Sequence, residues 1–262
     1  INAKWFFGPN DTTTVNGVTY TGGAMVTGWY NYLEGLDEYE DEGDESLWFY
    51  FNPSTGKMVK DNGNKSIDGN KYSFDENGVM VYEWNETSTE SSATKSGIKY
   101  FSDQTDGHLK KNSWIYAVPT QEMDDATGNT DYEDDTSRWF YSNAQGETYK
   151  NVIKKINGKK YLFNEVGEME SGLQWVTLAD AKTSTDVANI TDDDTDESTQ
   201  IMEHDNAANE ALYYFSDDGD TDGSMKTGKN IKIELDDDTF TFGFKTNGKA
   251  YDYRNDGLED KK

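Results

Sequence analysis

Apolar residues in this chain come in short bursts, not with a helical period and not in simple alternation. A run of adjacent aromatics is followed by polar turn formers, a glycine, and then a methionine or a substitute for it. One copy reads Trp48-Phe49-Tyr50-Phe51, then Gly56 and Met58. The next is Lys71-Tyr72-Ser73-Phe74, Gly78, Met80, followed by Ile98-Lys99-Tyr100-Phe101, Gly107, Leu109. Further on come Trp139-Phe140-Tyr141 with Gly146 and Thr148, Lys160-Tyr161-Leu162-Phe163 with Gly167 and Met169, and Leu212-Tyr213-Tyr214-Phe215 with Gly219 and Met225. A worn last copy is Phe242-Gly243-Phe244, Gly248, Ala250, and a first copy with a long turn is Trp5-Phe6-Phe7, Gly23, Met25. The pattern amounts to about eight self-similar units.

Each unit predicts a β-hairpin. The aromatic run suits a pleated strand. Segments such as Asp75-Glu76-Asn77-Gly78 supply the turn, and the methionine segment returns as the second strand. A lone hairpin is marginal in water, so the hairpins must stack and bury aromatic faces against their neighbours. Adjacent aromatics point to opposite faces of a strand, so both faces of each run need cover. The fold class this predicts is all-β: an elongated β-solenoid of stacked hairpins, one array over 1–262, with long acidic inter-hairpin loops.

All the tryptophans fall in the pattern. Trp5, Trp48 and Trp139 open aromatic runs. Trp29, Trp84, Trp114 and Trp175 lie about four to six residues after the methionine position, in the returning strand of the repeat. Rings gathered at the seam between hairpins make a ligand groove. The competing reading is that they are packing core.

Composition narrows the class. The chain has 262 residues, of which 33% are hydrophobic, and a formal net charge of -27. With a mean hydropathy of -0.95 these values lean toward disorder. A 14% aromatic content in regular clusters opposes that. The lack of cysteine excludes disulfides and thiolate chemistry. No apolar stretch approaches the roughly 18 residues of a membrane span. With 24 basic residues against 51 acidic ones, the chain is unsuited to nucleic acid and to anionic lipid. No signal peptide is visible, and the chain opens inside a repeat. It therefore reads as a piece of a larger secreted, extracellular protein.

Much of the charge lies in polar stretches at 31–46, 85–96, 117–137 and 176–210. Loops this long are functional or disordered. They read as solvated surface, with walls around each groove or a face for a host protein as the sharper alternatives. Residues 206–211 have the composition of a short helix. Asp218-Gly219-Asp220-Thr221-Asp222-Gly223 fits the first half of a calcium loop, which makes Asp218, Asp220 and Asp222 candidate calcium ligands. Lys229 at the twelfth position excludes an EF-hand, and Asp-Gly repeats are also ordinary turn chemistry. His108 and His204 carry no catalytic motif around them, and no nucleophile elbow, zincin motif or phosphate loop is present. The expectation is a protein without catalytic function.

Val26-Thr27-Gly28-Trp29, Gly56-Lys57-Met58-Val59 and residues 69–80 resemble the choline-binding and glucan-binding repeats of Gram-positive cell-wall proteins. The resemblance covers nearly the whole chain. It implies a hairpin solenoid that anchors a larger protein to the cell wall, holding teichoic-acid choline or a polysaccharide between consecutive units. Carried onto this chain, it implies one site from Trp5 and Trp29 with Trp48 or Tyr50, and a second from Trp114 and Trp139 with Tyr100. Trp84 with Tyr100, and Trp175 with Tyr213, are poorer matches. Lys71, Ile98, Lys160 and Leu212 depart from the family by standing where a tryptophan would open the run. A structural stalk or a host-protein adhesin with no small-ligand site is the rival reading.

Overall fold

A computed structural model describes residues 4–8, 13–15, 18–32, 47–85, 98–120, 123, 136–180, 184–188, 201, 210–217, 223–235 and 237–251. All the elements described are strands, and they pair as antiparallel hairpins and three-stranded sheets. The chain divides into two compact units. One comprises Ile1–Thr89 with Ile98–Lys111, and the other comprises Glu90–Gly97 with Asn112–Lys262.

In the first unit, β1 (Thr13–Val15) pairs with β2 (Val18–Tyr20), and β3 (Gly28–Tyr32) with β4 (Leu47–Phe51). Next, β5 (Asn62–Ile67), β6 (Asn70–Phe74) and β7 (Met80–Val81) form one sheet, and β8 (Glu83–Trp84) pairs with β9 (Tyr100–Phe101). In the second unit, β10 (Ser113–Ala117) pairs with β11 (Arg138–Ser142), and β12 (Val152–Ile156), β13 (Lys159–Phe163) and β14 (Met169–Glu170) follow as one sheet. Then β15 (Gly172–Asp180) lies between β16 (Ser184–Ala188) and β17 (Glu210–Phe215), and β18 (Gly228–Leu235) pairs with β19 (Asp238–Phe244).

Every run–methionine pair of the repeat is joined. Phe7 bridges Met25, Phe51 bridges Met58, Phe101 bridges Leu109, Ser142 bridges Thr148, Phe215 bridges Met225 and Phe244 bridges Ala250. Phe74–Met80 and Phe163–Met169 pair within sheets. The turn between is held by the Asn or Asp that follows the run. Asp75 Oδ1 accepts from the Asn77 and Val79 amides at 2.8 and 2.7 Å, and Asn143 Oδ1 from those of Gln145 and Glu147 at 2.8 and 3.0 Å. An Asx acceptor of this kind replaces the ladder where the strand ends.

The long pairings, however, run elsewhere than the repeat pattern suggests. The Gly-Trp strand pairs with the aromatic run after it: Trp29 lies opposite Tyr50 and Asn31 opposite Trp48. Likewise Trp114 lies opposite Tyr141 and Tyr116 opposite Trp139. The stretches at 31–46, 85–96 and 117–137 therefore connect the two strands of one hairpin, which corrects the expected inter-hairpin placement; the stretch at 176–210, expected as a loop, holds the end of β15, all of β16 and the start of β17. A polar insertion is tolerated at a hairpin tip because loop-closure entropy grows slowly with length. The helix expected at 206–211 is not formed at its end, where Glu210 and Ala211 open β17; 206–209 lie outside the described residues.

Within each unit the hairpins stack face to face. Leu47, Phe49 and Phe51 pack with Val26 and Phe6 on one side of β4. Trp48 and Tyr50, on the other side, pack with Tyr72, Phe74 and Met80 of the following hairpin. In the second unit Tyr161 and Phe163 face Trp114 and Tyr141. From the reverse side of the same strand Leu162 faces Val176, Tyr213 and Phe215. One backbone bond recurs at these seams. The amide at the methionine position donates to the residue three before the end of the preceding run: Met58 to Lys4 at 3.0 Å, Leu109 to Lys71 at 2.7 Å, Met225 to Lys160 at 2.7 Å and Ala250 to Leu212 at 2.8 Å.

A second recurring contact seats each methionine on the next turn glycine. A Cβ placed on Gly56 would collide with Met25, on Gly107 with Met80, on Gly223 with Met169 and on Gly248 with Met225. At Gly78, φ is +90° and a Cβ would lie 2.7 Å from Met58 Cε and 3.1 Å from Val59 O. Gly78→Ala therefore strains the backbone and displaces the methionine together. It is expected to cost about 1–3 kcal/mol, read as a lower urea midpoint with an unchanged m-value.

Candidate functional site

The strands place four rings on one face of β3–β4 and the hairpin after it. Trp29 stands at their centre. Its centroid is 6.3 Å from Trp48 at 84°, 5.1 Å from Tyr50 at 68°, 4.8 Å from Tyr72 at 67° and 5.8 Å from Phe74 at 34°. The second unit builds the same arrangement around Trp114. There Trp139 is 6.1 Å away at 89°, Tyr141 5.1 Å at 82°, Tyr161 4.8 Å at 76° and Phe163 6.2 Å at 35°. Both seams hold a tryptophan walled by rings close to perpendicular to it. Trp29, Trp48, Tyr50, Trp114, Trp139 and Tyr141 stay half-buried, while Tyr72 and Tyr161 form the buried floor.

The β15–β17 seam is an internal contrast. By register, Leu173 lies opposite Tyr214 and Trp175 opposite Leu212, so Leu173 and Leu212 hold the places of Trp29 and Trp48. These four residues are all buried, packed with Ile233, Phe242 and Phe244. The same backbone positions thus give a closed core with leucines and a partly open aromatic corner with tryptophans.

Trp29, Trp48 and Tyr50 are brought together as expected, and so are Trp114 with Trp139. Trp84 meets Tyr100 at 4.8 Å and 74°. Trp5 does not join its predicted group. The Phe7–Met25 and Phe51–Met58 bridges align Trp5 with Phe49, so Lys4 takes the place of Trp48. Trp5 instead donates from Nε1 to Thr55 O at 3.0 Å and carries Lys57 Nζ 5.8 Å from its ring centroid. Tyr100 belongs to the first unit and Trp114 to the second; within the second unit Tyr161 is the third ring beside Trp114 and Trp139. Trp175 and Tyr213 are also not brought together, because they lie in adjacent registers and point to opposite faces of the sheet. Each is 2% exposed. Asp218, Asp220 and Asp222 lie outside the described residues. Among the described residues, no three carboxylate or imidazole groups converge as a metal site would need.

The residues missed from sequence are Tyr72 and Tyr161, with Phe74 and Phe163 beside them. The signal was present in the second aromatic place of the Lys-Tyr runs. It was obscured by assigning Trp29 and Trp114 to the preceding hairpin rather than to the one they share with Trp48 and Trp139. A further addition is Tyr116, which is 57% exposed and lies 4.7 Å from Trp139. Its counterpart in the first unit is the buried Asn31.

Electrostatics differ between the two corners. The Tyr50 phenol is pushed up by burial and by the Asp68 carboxylate. The Tyr141 phenol is pushed up by burial and by Tyr149, which stacks on it at 5.9 Å and 4°. Lys154 Nζ lies 4.7 Å from the Tyr149 centroid. His108 pairs with Asp106 at 2.6 Å in a turn of the first unit; His204 lies outside the described residues.

No family model matches the chain, and no curated protein matches it in sequence. Solved structures are similar in fold. CbpJ from Streptococcus pneumoniae TIGR4 is 17% identical over 95% of this chain and 58% of its own, with a TM-score of 0.49. Choline binding protein F from Streptococcus pneumoniae is 17% identical over 92% of this chain and 72% of its own, at 0.48. The choline-binding domain of CbpL from the same organism is 16% identical over 93% of this chain and 87% of its own, at 0.42. Two of these neighbours are choline-binding by their own descriptions, choline binding protein F and the choline-binding domain of CbpL. The chain spans 58% of the length of CbpJ.

One carboxylate in the second unit titrates far from its usual range. Burial pushes Glu170 up to about 7; a hydrogen bond with Asn164 opposes this and Glu168 adds to it. A carboxyl raised in the folded state stabilises at low pH, and that contribution fades as pH rises from about 4.5 through about 7. Glu170→Gln is expected to leave stability at pH 4 nearly unchanged. At pH 8 it should raise it by about 3 kcal/mol, read as a smaller pH dependence of the urea midpoint than the parent shows.

Proposed function

We propose that this chain is a non-catalytic binding module, a hairpin solenoid whose seams hold the quaternary ammonium groups of a bacterial cell-wall polymer such as choline-bearing teichoic acid. The carrying observation is the aromatic corner built twice with matching distances and angles, half-open at both Trp29 and Trp114, at a position that leucines close elsewhere. Ring walls near right angles to one another offer several π-faces to one compact cation. Each face contributes roughly 0.5–2 kcal/mol, so a three-walled corner reaches about millimolar affinity once binding costs are met. Two corners on one polymer gain by avidity. The acidic surface raises the local concentration of cations. By the same reading the protein works outside the cell at the wall.

A second reading has its own support at the Trp114 corner. The exposed Tyr116 ring extends Trp139 into a broader platform, and Lys154 already places an ammonium beside Tyr149. A sugar ring stacks better than a cation on such a surface.

Choline titrated against tryptophan fluorescence should give a saturable change with a Kd of about 1–10 mM, while a soluble glucan gives none. Trp29→Ala and Trp114→Ala should each remove part of the signal, and the double variant nearly all of it, with the circular dichroism spectrum retained. A folded parent that does not respond to choline contradicts the choline reading. A response to the glucan that Trp114→Ala abolishes supports the sugar reading instead.

A further inference from the structure

We infer that the turn between β13 and β14 is a self-modification site: the Lys150 amine attacks the side-chain amide of Asn164, and an isopeptide bond joins the two residues with loss of ammonia. The groups around Asn164 suit such an attack. Its side chain is 7% exposed, and its Oδ1 accepts from the amides of Val166, Gly167 and Glu168 at 3.1, 3.0 and 2.9 Å. Three donors on one carbonyl oxygen polarise Cγ and stabilise the negative charge that a nucleophile places on that oxygen. Asn164 Nδ2, the leaving nitrogen, donates to Glu168 Oε2 at 3.1 Å, and Glu170 is hydrogen-bonded with Asn164 as well.

Lys150 supplies the nucleophile. The Asn151 amide donates to Asn164 O at 2.8 Å, which holds residues 150 and 164 side by side. Lys150 Cγ lies 3.5 Å from where a Cβ on Gly167 would stand, and Gly167 is one of the residues whose amides hold Asn164 Oδ1. Rotation about the bonds between Cγ and Nζ swings the amine onto the Asn164 side chain. Burial pushes the Lys150 ammonium down from its ordinary range, with Glu165 opposing, and an amine desolvated in this way is an activated nucleophile.

The first unit is an internal contrast. Its matching turn, placed by the bond from the Asp61 amide to Asp75 O and by the Phe74–Met80 register, carries Asp75, Val79 and Val81 in place of Asn164, Glu168 and Glu170. The exposed Lys60 stands where the half-buried Lys150 does. A carboxylate resists nucleophilic attack and valines carry no protons, so the turn forms without any of these groups. Their presence together in the second unit is what the modification explains.

The step balances. The Nζ–Cγ bond forms and the Cγ–Nδ2 bond breaks; the proton shed by Nζ passes through the Glu168 carboxylate to Nδ2, and ammonia departs. No oxidant or cofactor takes part. The bond closes 150–164 around β12–β13, the hairpin that carries Tyr161 and Phe163, and gives a chain without cysteine a covalent clamp. The inference is independent of what the aromatic corners bind.

Intact mass of the full chain is the test. The folded protein should weigh about 17 Da less than its sequence, one ammonia. Trypsin cuts after Lys154, Lys155, Lys159 and Lys160, yet the fragments bearing Lys150 and Asn164 should stay joined, with tandem mass spectra placing the link between those two residues. Lys150→Arg and Asn164→Ala should each restore the full mass, and Lys150→Arg, which keeps the charge, should lower the urea midpoint. The inference is overturned if the folded chain still has its full mass after days at neutral pH. It is also overturned if the ammonia loss persists in Lys150→Arg, since the loss then comes from a succinimide at an Asn-Gly pair such as Asn157-Gly158.

Discussion

Every feature of this protein depends on one constraint: its hairpins are apolar on both faces and can bury neither alone. β4 shows this most directly. Leu47, Phe49 and Phe51 point one way and Trp48 and Tyr50 the other, so the strand is satisfied only between two neighbours. Stacking of consecutive hairpins supplies both covers. The methionine seated on the next turn glycine, and the amide bonded to the preceding run, keep the stack in register. Without cysteines or a large single core, these repeated contacts carry the stability of each unit.

The candidate site follows from the same stacking. A seam is core wherever its side chains fill it, as Leu173, Trp175 and Leu212 do against Ile233 and Phe242. With tryptophan at two of the positions, the flat rings stand at steep angles and leave part of their surface open. Chemistry thus enters by side-chain choice at fixed backbone positions. The two corners differ in what surrounds them, Asp68 at one and Tyr116, Tyr149 and Lys154 at the other, so one scaffold presents two electrostatic settings.

Much of this was legible in the sequence, because the run, turn, glycine and methionine of each unit have direct physical counterparts. The Asx acceptor at Asp75 and the bridge from Phe74 to Met80 are what that pattern described. The partner of the Gly-Trp strand was not legible. Hairpins are recognised by short turns, and the polar stretch between Trp29 and Trp48 concealed theirs. Assigning Trp29 to the earlier hairpin shifted the seam by one unit and replaced Tyr72 and Tyr161 with the wrong third rings. Trp5 misled for a smaller reason. A one-residue offset relative to Trp48 places it at the position of Phe49, and in a strand one residue decides the face. Trp175 has the same lesson, since only its pairing with Leu212 shows that it turns away from Tyr213.

The central claim is that ring faces from consecutive hairpins converge to hold a compact cation. It is tested most directly by nuclear Overhauser contacts between the choline methyl protons and assigned aromatic protons of the intact chain. The account predicts contacts to Trp29 and Trp48 together with Tyr72 of the following hairpin, and to the matching group at Trp114, with none to Trp175. Contacts confined to Trp5 or to a single isolated ring, or contacts to no aromatic proton while choline is shown to bind, would contradict it.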